Sequence, residues 1–166
     1  MNQHRTAMTF SHVGVCTADI EASLRFYIEA LGFEPWAKFN AGKEFLPQHG
    51  GEGELAINAH FLRRDGMQLE LLEFVQPGYQ GDARPRPMNQ LGITHFGMLV
   101  EDIEAAMDAV RAFGGTVLKE TRVRNRTVEG LLQDSIFCTD PNGVRIELMY
   151  LPESGWKEAI SVGRAG

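Results

Sequence analysis

Two histidines and two glutamates hold matching places in this chain, and their types make a set that can bind a metal ion. Laid against itself, the chain repeats: residues 11–33 match 94–116 at a constant offset of 83. His12 falls on His95, Gly14 on Gly97, and Asp19-Ile20-Glu21-Ala22 on Asp102-Ile103-Glu104-Ala105. A second match sets QLELLEF (68–74) on RIELMYL (145–151) at an offset of 77, which puts Glu70 on Glu147. A carboxylate between Leu69 and Leu71, or between Ile146 and Leu148, is costly to place unless it is paired, hydrated or bound to an ion. Two imidazoles and two carboxylates form a mixed N/O donor set suited to Zn, Ni, Co, Mn or Fe(II), with room for two waters at an octahedral ion. A single strand histidine is ordinarily a hydrogen-bonding partner, and a single strand glutamate ordinarily faces water. Recurrence of both types at corresponding positions of a duplication is what favours a site.

Each half must supply the elements that position these residues. Strands are expected at 10–17 and 93–100, where β-branched residues alternate. Asp19 and Asp102 read as N-caps of amphipathic helices over 20–31 and 103–113, stopped by Gly32 and by Gly114-Gly115. In the first helix Ile20, Leu24, Tyr27, Ile28 and Leu31 recur at helical spacing; in the second Ile103, Ala106, Met107, Val110 and Phe113 do. Three more strands complete each unit, at 34–39, 55–63 and 67–75, then at 116–125, 131–138 and 144–151. Asp140-Pro141-Asn142-Gly143 is a strong turn signal. The fold class is therefore α+β, two tandem βαβββ modules: module one 8–75, a Pro-rich linker 76–92, module two 93–151, together a single domain over 8–153 with a tail at 152–166. Alternation places His12, Gly14 and Cys16 on one strand face and Glu70 on the corresponding face of the fourth strand, opposite Leu69 and Leu71. The apolar faces should carry the helices, leaving a half-open curved sheet whose other face holds the ligands. Residues 40–53 hold four glycines and a proline without apolar period and read as a long loop, either a lid or a surface insertion.

Composition narrows the class. Apolar residues make 43% and charged residues 23% of the chain, as expected of a globular domain rather than a disordered or coiled-coil one. Sixteen basic against 22 acidic residues give a net charge of −6, which removes the electrostatic basis for binding nucleic acid. Two cysteines, Cys16 and Cys138, make no disulfide framework, no apolar run reaches membrane-spanning length, and the N-terminus lacks a signal-peptide core. The expectation is a cytoplasmic protein with a small-molecule substrate and no membrane or nucleic-acid partner.

These features resemble the vicinal oxygen chelate superfamily, which includes glyoxalase I, methylmalonyl-CoA epimerase, extradiol dioxygenases and bleomycin-resistance proteins. HVGVCTADIEASLRFYIEALGF, LELLE, THFGMLVEDIEAA and DPNGVRIELMY carry the resemblance, which covers residues 10–151. It implies a glyoxalase-like half-open barrel of two modules and one divalent metal held by His12, Glu70, His95 and Glu147. All four positions being filled favours the isomerase, epimerase and lyase branch. The extradiol dioxygenases match only His12, His95 and Glu147, and metal-free binding members lack the set. Glutathione-specific glyoxalases carry an Arg where Cys16 stands and an Asn where Phe74 stands, and LELLEFVQPG followed by a long linker looks closer to the epimerase branch.

The chemistry favoured by the set is proton abstraction next to a carbonyl, through an enediolate stabilised by the metal. By resemblance the base is Glu147 or Glu70, with Glu147 first and Glu70 as a ligand or a second base. The alternatives are a non-haem Fe(II) dioxygenase of extradiol type and a small-molecule-binding protein without turnover. Arg122, Arg124 and Arg126 alternate and are candidates for a stripe that binds a carboxylate or phosphate; an exposed charged face is the plainer reading. Trp36, Phe45, Leu46 and Phe61 make either an apolar wall or ordinary core. Cys16 is a substrate-side candidate whose plainer role is a small buried hydrophobe. Glu44, Glu52 and Glu54 read as loop charges, and His49 and His60 have no counterpart in the repeat. A homodimer is the default assembly.

Overall fold

Asp19 and Asp102 each adopt extended backbone and turn a strand into a helix. The Asp19 carboxylate accepts from the Ala22 amide at 3.0 Å, and Asp102 accepts from the Glu104 and Ala105 amides at 2.9 and 3.0 Å. These bonds satisfy amides that no earlier helical turn can reach. The structure is a computed structural model that describes residues 8–49, 52–126 and 132–151. The tail from 152 onward, with Trp156, lies outside the described residues.

The first helix does not run as one regular element over 20–31. It begins as α1 (Ile20–Arg25) and continues as a π-helical turn over Phe26–Ala30. Phe26 and Tyr27 are adjacent and both fully buried. The π turn is a local widening of the helix, and both of these bulky side chains lie on its covered side. Its last turn closes at Gly32, whose φ of +67 suits glycine at no steric cost.

The strands follow the sequence pattern. β1 (Val13–Thr17), β2 (Glu34–Ala41), β3 (Ala56–Arg64) and β4 (Met67–Gln76) form a sheet ordered β1-β4-β3-β2. β5 (Phe96–Leu99), β6 (Thr116–Arg126), β7 (Leu132–Thr139) and β8 (Arg145–Tyr150) form a second, ordered β5-β8-β7-β6. In each sheet the first strand pairs parallel with the last and the other pairings are antiparallel. The βαβββ reading of both halves is thus borne out. Val15, Leu69 and Leu71 are buried, while Gly14 stands in register with Glu70, and Glu70 with Phe61, on the opposite face.

The chain divides into two compact units, residues 1–18 with 33–79 and residues 19–32 with 80–166. The helix of the first repeat therefore belongs with the second sheet. There the Tyr27 hydroxyl donates to Asp140 at 3.1 Å, and the Asn142 amide donates to the Ser23 hydroxyl at 2.9 Å. Gly115 is a point of close approach in the same unit: a Cβ there would stand 2.6 Å from the Phe26 ring and 2.5 Å from the Thr139 carbonyl oxygen. The helix of the second repeat, α3 (Ile103–Ala112), buries Ile103, Met107 and Val110, the apolar stripe read from its spacing.

The insertion after β2 is not an unstructured loop. It holds a 3-10 turn over Lys43–Phe45, followed by α2 (Leu46–His49). Phe45 and Leu46 pack against a cluster of Ala41, Leu55 and Ile57, together with Leu72 and Phe74. Partial burial of those two side chains gives the segment a reason to fold that its glycines conceal. No helix among the described residues is long and apolar enough to cross a membrane.

Candidate functional site

His12 and His95 each stand one residue ahead of a strand, β1 and β5, rather than inside it as expected. The pairing read from the repeat nevertheless forms in both units. Nε2 of His12 lies 3.1 Å from Oε2 of Glu70, and Nε2 of His95 lies 3.3 Å from Oε2 of Glu147. The glutamate side chains are 13% and 23% exposed, so each pair is sheltered yet open to a ligand.

Two further contacts repeat. The Ser11 hydroxyl lies 2.9 Å from Nδ1 of His12, and the Thr94 hydroxyl lies 2.9 Å from Nδ1 of His95. A hydroxyl can donate to or accept from Nδ1, so it serves either imidazole tautomer. It leaves Nε2 to face the carboxylate. Each imidazole also meets a phenylalanine edge at 5.1 Å, His12 with Phe61 and His95 with Phe137. Sequence reasoning missed the hydroxyls, although a Ser or Thr directly precedes each repeated histidine. It missed the Phe61–Phe137 correspondence because the second hairpin has a longer turn, and a fixed offset of 77 sets Phe61 on Cys138.

The donor chemistry fits a divalent cation. Ligands about 2.0–2.2 Å from an ion stand ~3 Å apart when they subtend a right angle, close to the spacing within each pair. Each pair offers one imidazole nitrogen and one carboxylate oxygen, half of the four-ligand set. Among the described residues, no group of three or more His, Cys, Asp or Glu forms a metal site.

Two of the candidate arginines meet carboxylates of their own chain. Arg122 donates to Asp134 through Nε at 3.0 Å and Nη2 at 2.8 Å, and its Nη1 lies 2.7 Å from Glu104 of α3. Arg124 donates to Asp134 at 2.9 Å. Hydrogen bonding to Arg122 holds the Asp134 carboxyl below its ordinary range, against the opposing effect of burial. Arg126 is exposed. The plainer reading of Cys16 as a small buried hydrophobe is corrected: it is exposed, in β1 between Val15 and Thr17, while Cys138 is the buried cysteine. Partial desolvation raises the Cys16 thiol pKa, and burial pushes that of Cys138 up to about 12, so neither is a ready thiolate at neutral pH. Glu44 accepts from the Gly42 amide, Glu54 pairs with Lys43, and His49 meets the Phe74 ring edge.

Residues 9–148 match the Glyoxalase/Bleomycin resistance protein/Dioxygenase superfamily, and the chain belongs to that family. A probable lactoylglutathione lyase of Vibrio parahaemolyticus serotype O3:K6 is 28% identical over 149 residues, 90% of this chain and 92% of that protein. Among solved structures, a glyoxalase family protein from Bacillus cereus superposes with a TM-score of 0.72 at 17% identity, over 89% of this chain and 97% of its own. The trypanothione-dependent glyoxalase I of Leishmania major gives a TM-score of 0.57 at 21% identity, over 92% and 91%. These structural likenesses establish the glyoxalase fold. Family membership and the lyase relative support a metalloenzyme-like role.

Proposed function

We propose that this protein is a divalent-metal-dependent lyase or isomerase that removes a proton next to a carbonyl of a small molecule or acyl thioester. The observation that carries this reading is the His–Glu pair formed twice, at 3.1 and 3.3 Å, from corresponding residues of a duplication. His12, Glu70, His95 and Glu147 are the ligands. A bound ion supplies Lewis acidity that stabilises negative charge developing beside the carbonyl. Ser11 and Thr94 orient the two imidazoles through Nδ1. Glu147 is the base: its side chain is more exposed than that of Glu70, which leaves it freer to reach a substrate proton. Glu70 stays a ligand, or serves the opposite face if the reaction is an epimerisation.

The test joins metal content to proton exchange. Protein purified without chelators is assayed for metal as wild type and as Glu70→Ala. S-lactoylglutathione and other enolisable thioesters are then followed by NMR for exchange of the α-proton with solvent deuterium. A stoichiometric divalent metal lost in Glu70→Ala, with exchange abolished in Glu147→Gln, is the expected result. Absence of metal from wild type would overturn the reading. Iron retained in Glu70→Ala, with oxygen uptake on catechols, would move the protein to the dioxygenase branch.

A further inference from the structure

The first unit carries an aromatic surface beside its His–Glu pair that packing does not consume. Trp36 is 53% and Phe39 40% exposed, an unusual placement for large apolar side chains grouped together. Phe61 lies at their centre. Its ring is 6.0 Å from that of Phe39 with 26° between planes, so the two form a nearly continuous floor. Trp36 meets Phe61 edge-on at 6.1 Å and 86°, making a wall. His12 approaches the same ring at 5.1 Å. The cavity bounded by these side chains holds about 610 Å³, within the range of small-molecule sites.

Its chemistry is selective. Among the described residues that line the cavity, His12 is the one ionisable side chain; Gln68 and Ser11 are among its polar members. The described lining therefore presents aromatic faces rather than a lysine or arginine. The second unit surrounds its equivalent ring differently: the Arg145 guanidinium sits 5.8 Å from the centre of Phe137. Among the described residues, the stacked aromatic floor is found in the first unit.

From this arrangement we infer that the first unit binds a planar aromatic or heteroaromatic group of the substrate, stacked on Phe39 and Phe61 and edged by Trp36. The inference rests on the proposed function only in placing the reacting carbonyl near His12 and Glu70. Stacking on aromatic faces and loss of apolar surface from water favour such a group over an alkyl one.

Calorimetry with benzohydroxamate and acetohydroxamate tests this, since the two share a chelating head and differ in the ring. Metal-loaded wild type should bind the aryl compound about tenfold or more tightly, the scale of one stacked ring. In Phe39→Ala, whose side chain is already exposed, the preference should fall to about twofold or less. Trp36→Leu serves as a second variant, and circular dichroism checks that both fold. Equal binding of the two compounds by wild type, a preference that survives both variants, or no binding of the aryl compound overturns the inference. The metal reading is scored separately by whether a chelator abolishes acetohydroxamate binding. Aryl binding that is lost in Phe39→Ala supports the subsite even where acetohydroxamate fails to bind.

Discussion

Replacing Arg122 with methionine separates a structural arginine from a substrate-binding one. Arg122 makes two charge-assisted hydrogen bonds to Asp134, whose side chain is 9% exposed, and a third contact with Glu104, which is 62% exposed. The exposed Glu104 contact contributes about 0–1 kcal/mol. Losing one partner of a buried ion pair costs about 3–5 kcal/mol when the other charge is left alone. Here Arg124 still donates to Asp134 at 2.9 Å, so the expected loss is about 2–3 kcal/mol. That corresponds to a melting point about 5–10 °C lower for a chain of this size. Thermal and urea unfolding followed by circular dichroism measure it. Asp134 has its folded pKa lowered from 3.8, first by Arg122. Its stabilisation is therefore present above that value and lost as pH falls through the folded pKa. The gap between wild type and Arg122→Met should be full at neutral pH and narrow in acid. A variant as stable as wild type at neutral pH, or a gap that acid leaves unchanged, would refute the structural account.

Other outcomes follow from the same geometry. Thr94→Val and Ser11→Ala remove the Nδ1 partners and should each weaken divalent-metal affinity about 10–100-fold, read by calorimetry with the ion alone. Tyr27→Phe deletes the buried 3.1 Å bond to Asp140 and should cost about 1–3 kcal/mol in urea unfolding; a neutral result would mean Asp140 is satisfied without it.

Much of this plan is legible along the chain alone. The duplication, the capping aspartates, the order of strands and helix in each half and the partnering of each histidine with a glutamate all depend on near neighbours or on a repeat that keeps register. Alternation is enough to set Glu70 opposite Leu69 and Leu71, because side chains on a strand change face at every residue. What each exposed or charged side chain meets was settled only by packing in three dimensions. Tyr27, Ser23 and their partners Asp140 and Asn142 draw α1 into the second unit, and Asp134 draws in Arg122 and Arg124. The glycine-rich insertion folds onto Ala41 and Ile57, Cys16 comes to the surface, and Trp36 and Phe39 stay open beside His12. The physical reason is common to these cases. Burial and ion pairing are decided between segments far apart in the chain, and local periodicity carries no record of which segment will cover a given face.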